Sequence, residues 1–370
     1  MWLHLVLLLV GLTILTVGAD WLVRGASALA IAVRISPLVV GLTVVAYGTG
    51  APELVISLQA LVRGETDITV GNVIGSNLFN ILPTLGLAAL ITPLIVHAQL
   101  VRLDVPLLII VTGIFWLFSA DLTLDRYESL FFVLALVTYS AWVVWKSRQE
   151  TTAVQKEYAD EFEAVIEKPS KWWHHLGYLL VGLGMLVGGA QLFLDHAVAI
   201  AEMFEISPLI IGLTLVAGGT SLPELATTVM AAYRGERDIA VGNAIGSSLF
   251  NVLGVLGISG LVAPGGLPVS LEARDFDIPI MFAVSVACLP VFFIRPRIAR
   301  WQGAVFFAYY VAYIADLILE AVHSEHTRTF ESVMMYFFIP LTGMAIAVGV
   351  IRRLLYRSKE ETDADSGQPS

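Results

Sequence analysis

Charge is scarce in this sequence. Asp, Glu, Lys and Arg make up 14% of its 370 residues, against roughly 25% in a soluble domain. With 57% hydrophobic residues and a mean hydropathy of +0.81, it has too little polar surface to cover a water-soluble globule. Cysteine is nearly absent. Cys288 stands alone in an apolar run, which excludes an internal disulfide and a thiolate metal cluster. There is no HExxH, GxSxG or Walker A pattern, so zinc proteolysis, serine hydrolysis and ATP-driven pumping have no motif. Long loops are missing too. Residues 147–173 form the only sizeable one, too short for a folded regulatory domain. Neither that loop nor the polar tail from Glu360 has the character of a nucleic-acid-binding segment.

What remains is apolar runs. A membrane-crossing helix needs about 20 residues, and runs of that length fall at roughly 3–23, 36–62, 69–92, 103–120, 126–145, 175–200, 207–233, 240–263, 276–294, 301–321 and 333–351. The expected fold is an all-α polytopic membrane protein. The first run resembles a secretory leader at Val17-Gly18-Ala19, but no Lys or Arg precedes it. It also shares its glycines with the sixth run at a constant offset of 171, as in Gly11/Gly182 and Gly18/Gly189. It is therefore read as a structural unit.

The same offset exposes an internal duplication. Residues 41–82 and 212–253 align without a gap and agree at 26 of 42 positions, the signature of a repeat. Five runs separate equivalent points, and an odd number reverses direction. The expectation is two inverted-topology five-helix repeats with broken helices, over 1–146 and 174–321, joined by the loop 147–173. Residues 322–370 add an eleventh, C-terminal transmembrane helix and a tail. With the N-terminus outside, seventeen of the 21 Lys and Arg fall inside, leaving Arg63, Arg126, Arg274 and Arg328 outside. The positive-inside bias thus predicts an external N-terminus and a cytoplasmic C-terminus.

Each copy breaks its own helix beside a carboxylate: Gly48-Thr49-Gly50-Ala51-Pro52-Glu53 and Gly219-Thr220-Ser221-Leu222-Pro223-Glu224. A charge at membrane depth costs at least ~2.5 kcal/mol, so Glu53 and Glu224 are functional candidates. Proline frees backbone carbonyls, and carbonyls beside a carboxylate suit a hard cation. Two facing carboxylates cannot both stay ionised without a counter-charge. A divalent cation, two monovalent cations or protons would serve. The next helix of each copy places Asn72, Ser76 and Asn80, and likewise Asn243, Ser247 and Asn251, on one face. Ser76, Asn80, Ser247 and Asn251 are expected to ligate. Gly71, Gly75, Gly242 and Gly246 are expected to allow close packing in lipid. Thr49 and Thr220, with the carbonyls of Ala46 and Ala217, either point into the same cavity or cap the freed backbone. The histidines lie near span ends or in loops, with His323/His326 in ligand-like spacing.

Both stretches resemble the α-repeats of the calcium/cation antiporter superfamily, most closely the prokaryotic sodium/calcium exchangers. The carriers are Gly48–Leu54 with Gly71–Asn80, and Gly219–Leu225 with Gly242–Asn251. The resemblance implies a ten-span inverted-repeat fold in a bacterial or archaeal cell membrane. It implies antiport of Ca²⁺ against about three Na⁺ by alternating access, with these ions as substrates, the bilayer as partner and no cofactor or enzyme activity. It maps Ca²⁺ ligation to Glu53, Glu224 and the backbone of Thr49 and Thr220. It maps Na⁺ ligation to Ala46, Thr49, Ser76, Glu53, Ala217, Thr220, Ser221, Ser247 and Glu224, with Asn80 and Asn251 beside the centre. Potassium-dependent relatives carry aspartate where Asn251 stands. In the first copy Gly50 replaces a serine that the family usually has, while Ser221 is kept in the second. The rivals are Ca²⁺/H⁺ antiport, a cation channel and a membrane enzyme.

Overall fold

The structure is a computed structural model. It describes every residue except 34, 150–171, 207, 212–213, 216, 295–296, 323–326, 345–346, 349–350 and 352–370. Most of the 147–173 loop, the C-terminal tail and His323/His326 therefore lie outside the described residues.

The described residues are almost all helical, and the sequence shows why the main breaks fall where they do. Helix α1 (Trp2–Val33) runs unbroken for 32 residues. Ser36 then accepts a hydrogen bond from the Val39 N–H (3.3 Å) and Pro37 opens the first turn, a standard start signal. Helix α2 (Pro37–Arg63) passes through a π turn at Gly41–Val45 and an α turn at Ala46–Thr49. It restarts at Ala51 with Pro52 in its first turn. Gly64 ends it at φ 78°, and the Glu65 N–H reaches back to the Ala60 carbonyl (2.9 Å). Only glycine takes that left-handed turn without strain.

Helices α3 (Thr66–Ile91), α4 (Leu100–Asp121) and α5 (Arg126–Arg148) follow, then α6 (Trp172–Met203). The second broken span consists of Pro208–Ile211, Ala217–Gly219 and α7 (Leu222–Arg234). Gly235 ends α7 at φ 86°, repeating Gly64. Helices α8 (Arg237–Val262) and α9 (Ala273–Phe293), α10 (Arg300–Ala321) and the short α11 (Thr327–Val333) complete the order. Among the described residues, nine helices are long and apolar enough to cross a bilayer. The expected span over 333–351 includes undescribed residues; where it is described, Tyr309 Oη lies 2.6 Å from Thr342 Oγ1, which seats it on α10.

Equivalent helices pack head to tail. Along α1, Gly11, Gly18 and Gly25 face the backbone N–H groups of Phe193, Leu186 and Leu179. Along α6, Gly182 and Gly189 face Leu22 and Leu15. Each step up one helix is a step down the other, so the duplicated elements are antiparallel. Two short strand pairs cross between the halves in the same way. In the first, Leu94–Ile95 (β1) pairs with Arg297–Ile298 (β4); in the second, Thr123–Leu124 (β2) pairs with Leu267–Pro268 (β3). The packing glycines divide unequally. Gly242 and Gly246 meet Leu38 and Leu42 closely, whereas Gly71 is exposed, Gly75 is half-buried, and no described atom lies within 4 Å of a Cβ added to either.

Candidate functional site

The centre of the molecule is polar. Helices α3 and α8 lie at the middle and are mostly buried, and the restarts of α2 and α7 pack against them. Glu53 and Glu224 each sit in the first turn of a restarted helix. The positive end of the helix dipole there favours a carboxylate. Both are 1% exposed, and Glu53 feels the charge of Glu224 across the repeat boundary. Neither is paired with Lys or Arg among the described residues.

Most of the predicted ligands gather around them. Ser221 Oγ lies 3.0 Å from Glu53 Oε1 and 3.1 Å from Ser76 Oγ, so the second half's serine serves the first half's carboxylate. Thr49 reaches the other way. Its hydroxyl approaches Glu224 and donates to Asn243 Oδ1 at 3.2 Å. Ser247 donates to the Ala46 carbonyl at 3.4 Å, which puts that carbonyl in the cluster. Asn80 and Asn251 are buried, and each opens a π-helical stretch at the equivalent place in its half, Asn80–Thr84 and Asn251–Leu256. Such bulges recur at functional sites because they re-aim side chains and free carbonyls. Ala217 begins the turn before Thr220, but nothing is described of its side chain.

Several buried polar atoms in this group have no hydrogen-bond partner among the described residues. They are Glu53 Oε2, Glu224 Oε2, Thr220 Oγ1 and both amide atoms of Asn80 and of Asn251. An unpaired buried polar group costs ~1–3 kcal/mol, and a charged one more. Two carboxylate oxygens and two amide oxygens, all buried and left open, are what a hard cation would satisfy.

Asn72 and Asn243 serve another purpose. Each sends its amide to the helix that carries the glutamate. Asn72 Nδ2 donates to the Glu53 carbonyl and to Ser57 Oγ, both at 3.1 Å. Asn243 Nδ2 donates to the Glu224 carbonyl (3.3 Å) and to Thr228 Oγ1 (2.9 Å). They pin the restarted helices and so hold the carboxylates in place.

One duplicated feature escaped the constant offset. Buried Asp104 accepts from Tyr139 Oη (2.9 Å) and from Gln99 Nε2 (3.3 Å), tying α4 to α5. Asp277 is likewise hydrogen-bonded by Tyr313, between α9 and α10. Asp104-Val105-Pro106 and Asp277-Ile278-Pro279 are visible as equivalents only once Gly265 and Gly266 are treated as an insertion; both take positive φ, 87° and 95°. Phenylalanine at Tyr139 removes the hydroxyl that donates to Asp104. The expected result is a loss of ~1–3 kcal/mol, read as a lower unfolding temperature of the purified protein.

Two weaker signals also resolved. Asp20 has no acidic counterpart in the other half, where Gln191 stands, yet it bridges α1 to α7 through ion pairs to Arg24 (3.0 Å) and Arg234. His4 and His196 meet across α1 and α6, Nδ1 to Nδ1 at 3.1 Å. No group of three or more His, Cys, Asp or Glu side chains placed to hold a metal ion occurs there or elsewhere among the described residues.

The profile of the sodium/calcium exchanger protein family matches residues 3–145 and 174–319, one stretch for each half of the chain. The chain belongs to that family. The sodium/calcium exchanger MaX1 of Methanosarcina acetivorans is 32% identical over 349 residues, covering 85% of this chain and 98% of that protein. The inner membrane protein YrbG of Escherichia coli is 35% identical over 315 residues, 84% and 95% of the two chains. Among solved structures, the sodium-calcium exchanger NCX_Mj superposes with a TM-score of 0.72 at 31% identity, covering 85% of this chain and 98% of that one. This exchanger-family protein is thus a multi-pass membrane cation antiporter, with the polar cluster at the centre of its fold.

Proposed function

We propose that this exchanger moves Ca²⁺ out of the cell in exchange for Na⁺ moving in, in a bacterial or archaeal cell membrane, with its N-terminus outside and its C-terminus in the cytoplasm. The observation that carries this reading is the pair of carboxylates with one open oxygen each, both buried and without a basic partner among the described residues. Their charge must be cancelled by whatever is aboard. One Ca²⁺ or two or more Na⁺ does so, and the two cargoes exclude each other. The ligand set is Glu53 and Glu224, with Thr49, Thr220, Ser76, Ser247, Ser221, Asn80, Asn251 and the carbonyls of Ala46 and Ala217 around them.

Alternating access follows from the symmetry. Residues 1–146 and 174–321 act as the two inverted repeats, with 147–173 as the cytoplasmic link and 322–370 outside the transport unit. The antiparallel pair α1 and α6 moves as one body past the site when the site is filled. An empty site keeps two bare carboxylates in a low-dielectric interior, which raises the energy of the sliding step.

Proteoliposomes containing the purified chain, loaded with Na⁺ and diluted into ⁴⁵Ca²⁺ without Na⁺, test the reading. Ca²⁺ is expected to accumulate only with the outward Na⁺ gradient. Accumulation driven by a pH gradient alone, with Na⁺ absent on both sides, would instead establish Ca²⁺/H⁺ exchange through the same carboxylates. Flux without any counter-ion would mean a channel.

A further inference from the structure

We infer that Phe250, wedged into the space left by Gly50 and backed by Tyr47, closes one of two equivalent hydroxyl subsites, so that this exchanger carries two Na⁺ per Ca²⁺ and works electroneutrally. The inference rests on the Na⁺ coupling proposed above.

The internal repeat supplies its own control. On one side Ser221 Oγ lies 3.0 Å from Glu53 and 3.1 Å from Ser76, so its hydroxyl joins two oxygens of the other half. At the mirrored point the three residues are Gly50, Glu224 and Ser247. The first has no hydroxyl, and Ser247 turns to the Ala46 carbonyl instead.

The missing hydroxyl is not an open gap. A Cβ at Gly50 would lie 2.9 Å from Phe250 Cδ1 and 3.3 Å from Cε1, so the Phe250 ring already occupies the place of a side chain. Tyr47 holds it there. The two rings stack at 4.9 Å with an interplanar angle of 28°, and the Tyr47 hydroxyl is anchored 2.6 Å from Ser140 Oγ.

The other half shows the alternative. Gly218 stands where Tyr47 would be. Phe79, the counterpart of Phe250, lies over that glycine, 3.0 Å from a Cβ added there, and meets Tyr310 edge-on at 5.5 Å. With its ring over Gly218, the neighbouring position holds Ser221. The pairs Tyr47/Gly50 and Gly218/Ser221 are thus complementary choices: an aromatic ring at the first position goes with no side chain at the second.

Charge then sets the stoichiometry. Two carboxylates are neutralised by one Ca²⁺ or by two Na⁺. A third Na⁺ would leave a net positive charge in a low-dielectric interior, and only additional neutral oxygens could offset its desolvation. The wedge removes one of them and puts a ring face in its place.

The test is Na⁺-driven ⁴⁵Ca²⁺ uptake into proteoliposomes with the membrane potential clamped by K⁺ and valinomycin. A net charge carried per cycle would change the accumulation ratio about 50-fold for a potential of about 100 mV. The wild-type chain is expected to show less than a ~2-fold change, and a Hill coefficient for Na⁺ of about 2. Tyr47→Gly with Gly50→Ser, which transplants the second half's arrangement, is expected to make accumulation potential-dependent. Gly50→Ser alone, with Tyr47 still behind the ring, is expected to remain potential-independent. A wild-type chain whose uptake follows the clamped potential overturns the inference, and this arm needs no variant to fold. An absence of Na⁺-driven uptake at every potential would remove the Na⁺ coupling itself, a different failure from potential-dependent uptake.

Discussion

Glutamine at Glu53 or at Glu224 abolishes Na⁺-driven ⁴⁵Ca²⁺ uptake while the protein still folds. The substitution keeps size and shape and removes one of the two charges that the cargo must match. Even at an effective dielectric constant near 20, a unit charge beside a bound Ca²⁺ contributes on the order of 5 kcal/mol, which is more than a thousandfold in affinity. Folding is expected to survive because neither carboxylate holds an ion pair among the described residues, and both have an open oxygen. Removing an unpaired buried charge relieves a cost rather than creating one, so the unfolding temperature should hold or rise. The measurement is initial uptake in proteoliposomes beside a thermal unfolding curve of the same preparation. Wild-type uptake in either variant would mean that these carboxylates do not carry the cargo's charge.

The carboxylates were legible because duplication copies a residue together with its setting. Glu53 and Glu224 stand out through the Gly-Thr-x-x-Pro-Glu run that recurs at one offset. The same regularity located Ser76 and Asn80 with their counterparts, since four-residue spacing fixes a helix face. The direction of each contact was not legible. That Ser221 serves Glu53, from the other half, depends on how the halves interlock, and no local pattern encodes that. The roles of Asn72 and Asn243 were hidden for a related reason. An asparagine can ligate or donate with equal ease, and only the position of the Glu53 and Glu224 carbonyls decides. The Asp104–Tyr139 pair was missed because Gly265 and Gly266 shift the register of the second half. The π-helical turns at Asn80 and Asn251 leave no common trace in sequence: Pro83 lies in the first and no proline in the second.

Leucine at Gly182 or Gly189 is expected to unfold the protein, whereas leucine at Gly184 or Gly188 of the same helix is not. The contrast follows from the face each glycine occupies. A Cβ at Gly182 would lie 2.5 Å from the Leu22 backbone nitrogen, and at Gly189 2.5 Å from that of Leu15. Gly18, on α1, has the same relation to Leu186 at 2.7 Å. These glycines recur every seven residues on both helices, which keeps them on one seam. In lipid, where apolar burial does not drive helices together, such close backbone approach supplies the association. Overpacking that side chains can absorb costs ~1–3 kcal/mol. Here the obstacle is backbone, so the helices must part and the cost exceeds that range. Gly184 and Gly188 are exposed, with no described atom within 4 Å of an added Cβ, and substitutions there should stay within about 0.5 kcal/mol. Thermal unfolding and monodispersity of the four variants in detergent decide the matter. A Gly189→Leu protein that melts with the wild type would mean that α1 and α6 do not cross as described. The pair would then lose the rigidity it needs to slide past Glu53 and Glu224 as one body.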